Sequence, residues 1–325
     1  MELIAINNTI ESQVIPEEEV TVSRGSFIEA NTERVTLSHL KNECIIPNYS
    51  DSESTIAHSE FIEATAEVVK ANFSEVQVLQ PNIRTSHVIK GRVPTAIGKS
   101  VKELSPEEKT IYYQRCAFMI EVPSMSENVN NNKLSLTIGG VRALNQENLY
   151  SKRSLEKFKV FIGYKNQVCT NLCISTDGLN ADIRVSSVAE LKDKISELIQ
   201  QFDKDRFLGN MERMSKFSLS ELEFAHTVGK MKLYQHLSKD EKVDKLKLLM
   251  NDNQIGSVVK NYYEDTNFSR SQNGDINLWE FYNLMTDANK SSYIDSNLER
   301  NANAFDFITG LTDSLQNQTA NWFLN

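Results

Sequence analysis

The chain has 325 residues, 40% hydrophobic and 24% charged, with a formal net charge of −9. These values fit a globular protein of one or two domains and exclude a fully disordered one. The charge is sorted by position: residues 1–83 carry −10, residues 84–165 carry +7 and residues 166–325 carry −6. No run of about 18 apolar residues is present, so no membrane partner is expected. The first residues have neither a basic nor an apolar leader pattern, which points to the cytoplasm. Four scattered cysteines suit reduced thiols buried as small hydrophobes rather than a disulfide framework.

Residues 1–57 read as an acidic, poorly packed N-terminal arm, with short β-like pieces at 20–23 and 34–40 able to add to a sheet edge. A polar stretch then leads into a helix over 59–73, whose apolar positions Phe61, Ile62, Ala66, Val69 and Ala71 share one face. Residues 76–99 are extended or irregular, broken by Pro81, Gly91, Pro94 and Gly98. Ser105-Pro106-Glu107-Glu108 has the chemistry of a helix start, and a short helix to about Tyr113 is expected.

The middle is β. Strands are predicted at 115–123 and 133–144, joined by a long polar loop at 126–132. A second pair is predicted at 158–164 and 168–175. Gly139-Gly140 marks a bulge or a close backbone approach. Beyond Asp177-Gly178 the chain reads as helical. Ser187…Glu190, Ser218…Glu221 and Ser238…Glu241 open three helices, and others follow near 252–264, 276–288 and 301–317. Asn273-Gly274 is a turn and Asp275 a helix cap; the residues around them lack calcium-loop spacing. Strands in one block and helices in the next predict an α+β fold. We expect an antiparallel sheet over about 115–187, packed by helices within an α+β domain of 58–187. A helical lobe of 188–325 follows, packed on the sheet as one unit.

The candidate functional residues are the cations of the middle segment: Lys90, Arg92, Arg142, Lys152, Arg153, Lys157, Lys159 and Lys165, with Tyr164 among them as a ring on which bases could stack. Phosphates call for cations along a groove, and single strands call for aromatic faces beside them. Lys157 and Lys159 alternate with apolar residues, so one face of their strand should be basic. Charge reversal of these two lysines should then weaken binding. Lys90 and Arg92 sit on a Gly- and Pro-punctuated turn able to present them to an anion. No phosphate-loop, zinc-protease or nucleophile-elbow motif occurs, so neither cofactor, metal nor catalytic group is assigned. Two partner classes follow: a nucleic acid, with single-stranded DNA favoured, or a basic protein docking on the acidic arm. A homo-oligomer is a further expectation.

Five stretches, SHVIKGRVPTA, YYQRCAFMIEVPS, LSLTIGGVRALNQENLY, FKVFIGYKNQVCTNLCIST and LWEFYNLMTDANKSSYIDSNLERNANA, resemble a family of unknown function from gut bacteria and their mobile elements. That family is similar in turn to a wider group of phage/plasmid-like proteins. The wider group shares an element here formed by Val168-Cys169-Thr170-Asn171 and another formed by Tyr282-Asn283-Leu284-Met285-Thr286. The resemblance covers residues 80–325 and implies a mobile-element setting without an activity. The element layout also loosely resembles phage single-strand annealing proteins, which implies single-stranded DNA in a basic groove and ring assembly. This last likeness is a fold-level analogy.

Overall fold

The computed structural model describes residues 26–46, 55–96, 98–147 and 155–325. The 20–23 β-like piece, Lys152 and Arg153 lie outside the described residues. The fold is α+β, built on a curled antiparallel sheet.

The first described segment is packed rather than loose. Phe27 and Ile28 are buried, and the Glu29 amide donates to the Lys290 carbonyl at 2.8 Å. Glu33–Val35 (β1) adds to a sheet edge as expected, but the rest of that β-like piece becomes a helix, Leu37–Glu43 (α1). The Thr36 hydroxyl caps it by accepting the His39 amide at 3.1 Å, and Leu40 is buried. His58–Asn72 (α2) follows the predicted apolar stripe, burying Phe61, Ile62, Val68 and Val69.

Asn82–Thr85 (β2) joins β1 to the sheet. Val88–Arg92 (β3) and Lys109–Tyr113 (β4) form a separate two-stranded ribbon, with Lys90 opposite Ile111 and Arg92 opposite Lys109. Here the helix predicted after Ser105 is corrected to one 3₁₀ turn, Pro106–Glu108. Glu108 does reach back to the Ser105 amide at 3.0 Å. The next residues, Thr110, Ile111, Tyr112 and Tyr113, are β-branched or aromatic, and pairing with β3 takes them into a strand.

Arg115–Val129 (β5) and Asn132–Ala143 (β6) form one long hairpin. The predicted long loop is replaced by a two-residue turn: Asn130 and Asn131 take φ values of 46° and 62°, the left-handed pair that matches strand twist. The register shifts between Val122 and Ser126, where Pro123 cannot donate to a ladder. Glu156–Asn166 (β7) pairs with β6. The outer edge of β7 is shared by Leu172–Cys173 (β8) and Leu179–Val185 (β9).

The helical half begins with Val188–Gln201 (α3), capped by Ser187 as predicted, and Lys204–Met214 (α4), which the sequence pattern did not reveal. Ser218–Leu219 (β10) precedes Glu221–His236 (α5). Two capping boxes overlap here, and the later one forms: Ser220 with Glu223 rather than Ser218 with Glu221. Leu219 must stay extended to pair with Ile276. Then come Lys239–Lys242 (α6), Asp252–Glu264 (α7), Ile276–Asn277 (β11), Leu278–Asn289 (α8) and Ile294–Asn317 (α9). The cap of α8 is Asn277, not Asp275, and α9 begins seven residues before the expected 301.

Helices lie on both faces of the sheet. Phe118, Ile120, Ile138, Phe158 and Ile162 face α2 and α3. Ala117, Met119, Val141 and Phe161 face Ile294, Leu298 and Ala302 of α9. The paired glycines are the close-approach points. A Cβ on Gly140 would lie 2.4 Å from Phe61 Cζ and 2.7 Å from the Lys159 carbonyl oxygen, and one on Gly139 would lie 2.1 Å from the Phe118 carbonyl oxygen. No register shift occurs at either glycine.

Gly140→Ala should lower unfolding free energy by about 1–3 kcal/mol through overpacking against Phe61. Urea denaturation monitored by circular dichroism would show a lower midpoint. An unchanged midpoint would rule out the close approach.

Candidate functional site

β7 brings Lys157, Lys159 and Lys165 to one sheet face, as the alternation predicts, but that face is covered. Lys159 is only 5% exposed. Its ammonium donates to the Asp295 carbonyl oxygen at 2.5 Å and is paired with the Glu299 carboxylate, both on α9. Lys165 pairs with Glu121 at 2.8 Å. Burial raises the Glu121 carboxyl, but hydrogen bonds from Lys165, Ser135 and Gln167 outweigh it and hold the group below its ordinary value. Lys157 remains partly exposed, 3.3 Å from Asp182.

Arg142 lies on the opposite face and is fully buried. Its guanidinium donates to Glu147 at 3.0 and 3.2 Å and also to Glu156 and the Ile56 carbonyl, with its carbon 4.8 Å from the Phe158 ring centroid. The Glu156 carboxylate accepts the Ile56 amide at 3.0 Å. Tyr164 is buried too, stacked on Phe207 at 6.1 Å. The expected basic groove is therefore corrected. Arg142, Lys159 and Lys165 neutralise internal carboxylates, and Tyr164 is core rather than a stacking surface. The reason is the second helical layer: charges covered on both sides must find partners inside the chain. Lys90 and Arg92 are elsewhere, on the β3–β4 ribbon, Lys90 exposed and Arg92 half-buried.

Lys157 and Lys159 do line a cleft of about 500 Å³ at the first turns of α9. Arg300 adds a cation there, but Asp295 and Glu299 share the walls. Mixed charge of this kind gives no net attraction for a polyanion.

The structure brings two other sequence elements together. The turn between β7 and β8 holds Val168-Cys169-Thr170-Asn171, and α8 holds Tyr282 to Thr286. The buried Asn171 amide donates to the Asn283 main-chain oxygen at 2.9 Å and to its side-chain oxygen at 3.3 Å. Asn166 donates to the same side-chain oxygen at 3.2 Å. Asn283 donates in turn to the Trp279 carbonyl at 2.9 Å. Thr286 donates to the Tyr282 and Asn283 carbonyls at 3.1 and 3.0 Å. Asp287 of α8 and Lys290, which caps its end, complete the set: Lys290 donates to Asp287 at 2.9 Å and to the Cys169 carbonyl at 2.6 Å. Thr170 is held at φ 60°, a left-handed conformation rare for a β-branched residue. Sequence reading noticed both elements but not their contact, because the partners are 112 residues apart.

This seam holds structure; it does not present a nucleophile. Burial pushes the Cys169 thiol up to about 12 and raises Cys173 and Tyr282 above their ordinary values. All three stay protonated and unreactive near neutral pH. Among the described residues no group of three or more His, Cys, Asp or Glu is placed to hold a metal ion, and no helix is long and apolar enough to cross a membrane.

Two predictions follow from these buried groups. Alanine at Asn171 or Asn283 should each cost about 1–3 kcal/mol by leaving buried polar groups without partners. The double mutant should show coupling of about 0.5–3 kcal/mol in a denaturation cycle; strict additivity would refute the seam. The second concerns His58, whose ring nitrogen Nε2 donates to the Tyr113 carbonyl at 2.8 Å. Burial, aided by the Arg142 charge and opposed by that hydrogen bond, pushes its imidazole down from 6.5 to about 3. The unfolded chain then takes up the proton first, so stability present above pH 6.5 is lost as pH falls, by up to about 1.4 kcal/mol per unit. His58→Gln should flatten the stability curve between pH 6.5 and about 5, above most carboxylate titrations. An unaltered slope would show that His58 is not the titrating group.

No curated protein and no solved structure matches this chain. One family does, over residues 8–324, nearly its whole length. The chain belongs to that family, described as "Domain of unknown function, B. Theta Gene description (DUF3871)".

Proposed function

We propose that the protein is a non-enzymatic nucleic-acid-binding protein of a mobile element, and that its contact surface is the β3–β4 ribbon rather than the main sheet. One observation carries this reading. Among the described residues, the middle-segment cations Lys99, Arg115, Arg142, Lys157, Lys159 and Lys165 all have a carboxylate within 4 Å; of the six that have none, Arg84, held by Thr32, and Lys133 lie on the main sheet, and the other four are Lys90, Arg92, Lys102 and Lys109. These four sit on the ribbon or on the loop joining its strands. Strand alternation and register put Lys90, Arg92 and Lys109 on one ribbon face. A two-stranded ribbon carrying cations suits a phosphate backbone or a groove. With Tyr164 and Phe161 buried, contact rests on phosphates rather than base stacking. Single- and double-stranded DNA are both ligands to test, and single-strand binding or annealing is the finer form of this reading.

The acidic N-terminal quarter supports a second reading, a module that docks a basic protein, such as a host defence factor, through residues 1–83 with their charge of −10. Fluorescence anisotropy with labelled DNA across salt concentrations separates the two. On the first reading affinity falls log-linearly with salt. Replacing Lys90, Arg92 and Lys109 by Glu lowers the slope by roughly 0.7 per lost contact on a single strand. Lys157→Glu changes little. Absence of binding at low salt rejects the nucleic-acid reading and leaves the acidic arm; binding indifferent to the ribbon variant rejects the ribbon as its surface.

A further inference from the structure

Helix α5 carries an apolar stripe that no other described residue covers. Its core side is formed by Phe224, Thr227, Val228, Met231 and Tyr234. On the opposite side lie Leu222, His226, Gly229 and Leu233, at the spacing of four, three and four residues that makes one seam along a helix. Leu222 is 80% exposed and Leu233 58%. Both are large apolar side chains, about 16 Å apart along the axis at a rise of 1.5 Å per residue. A Cβ placed on Gly229, between them, meets nothing within 4 Å. The stripe is flanked at its ends by two more exposed apolar residues. Tyr263 donates its hydroxyl to Glu221 at 3.0 Å, and Val243 follows α6 just beyond the last turn of α5.

The charges beside the stripe identify the occupant. One flank has Glu221 near the start of the helix and Lys232 near its end. The other flank has Glu223 near the start and Lys230 near the end. A second α5 laid antiparallel across the first sets Glu221 beside Lys232 and Glu223 beside Lys230, with the same two pairs repeated by symmetry. The same operation puts Leu222 against Leu233 of the other copy and Gly229 against His226, where the missing side chain leaves room for the imidazole. A parallel arrangement would set like charges together. Lys232 meets Asp252 at 2.8 Å and Glu221 meets Arg270 at 3.2 Å in exposed ion pairs of small net strength that can be shared or exchanged, whereas Glu223 accepts the Ser220 amide at 2.8 Å and Lys230 lies 4.7 Å from the Trp322 ring centroid, so the Glu221–Lys232 pair carries the orientation. An isologous surface must be complementary to itself, and this one is.

We propose that two copies of this chain associate through antiparallel packing of α5, with Leu222 and Leu233 as the apolar anchors and Glu221–Lys232 as the pair that sets orientation. This surface is separate from the β3–β4 ribbon, so its test does not depend on the nucleic-acid reading.

Sedimentation equilibrium of the full chain across the micromolar range tests it. Wild type should approach roughly twice the 36.9 kDa chain mass. Leu222→Glu with Leu233→Glu should sediment at 36.9 kDa with an unchanged circular dichroism spectrum. Gly229→Arg, which a single copy accommodates, should do the same. Glu221→Lys alone and Lys232→Glu alone should each weaken self-association about tenfold or more. An equimolar mixture of those two variants should recover it, because the reversed charges then face their complements. A wild-type monomer throughout the range, a leucine double variant that stays dimeric, or a mixture no tighter than its components would overturn the proposal.

Discussion

A sheet covered on both faces cannot leave a charge alone, and this constraint shapes the middle of the molecule. Arg142 on one face and Lys159 on the other are each almost completely removed from water. Removing such a cation from water costs several kcal/mol, so each is surrounded by acceptors: Glu147, Glu156 and the Ile56 carbonyl for Arg142, Glu299 and the Asp295 carbonyl for Lys159. These pairs join distant segments. Ile56 precedes α2, Glu156 starts β7, and Asp295 and Glu299 lie in the first turns of α9. The cations therefore act as registration points that fix the two helical layers on the sheet. Truncating one partner would strand the other charge in a dry environment, which is why such pairs specify position even where their net contribution is small.

The same logic extends to the neutral polar groups. Asn166, Asn171 and Asn283 are fully buried, as are Asn289, Asn297 and Asn301. Asn289 donates to Asn301 at 3.2 Å, Asn301 to Asn297 at 3.2 Å, and Asn297 to the Asn289 carbonyl at 2.9 Å. One set fastens the β7–β8 turn to α8; the other fastens the end of α8 to α9. Amides can donate and accept at once, so a few of them link the elements at a junction where apolar packing alone would not fix an orientation, although the side-chain oxygens of Asn171 and Asn289 accept no hydrogen bond from the described residues.

Local chemistry in the sequence was a good guide wherever it had no competitor. The α2 stripe, the Ser187 and Ser238 caps, α7 and the strand alternation of β7 were all legible. It misled where a long-range partner decided the outcome. Ser105 and Glu108 carry a capping box, yet β3 draws the following residues into β4. Ser218 and Glu221 match a capping pattern, yet pairing of Leu219 with Ile276 moves the helix start to Ser220. The basic face of β7 was read correctly as a face and wrongly as a surface, because α9 begins about 130 residues later. Nothing between Lys157 and Lys165 signals that Asp295 and Glu299 will cover them. The contact of Asn171 with Asn283 was hidden for the same reason: a buried asparagine and an exposed one look alike in a sequence.

Moving the cationic surface from the sheet to a ribbon alters what affinity demands. A groove lined by many lysines can hold a strand on its own, whereas four cations on a ribbon and its loop would give few phosphate contacts, hence weak affinity and a shallow dependence on salt. An antiparallel α5 pair would place two such ribbons in one particle. The second contact then becomes intramolecular, and its effective concentration is set by the distance between ribbons rather than by bulk ligand. Long strands that reach both ribbons would gain from this, and short oligonucleotides would not. Dependence on strand length is thus the property that connects the apolar stripe of α5 to the charges of the ribbon, although no residue of one touches the other.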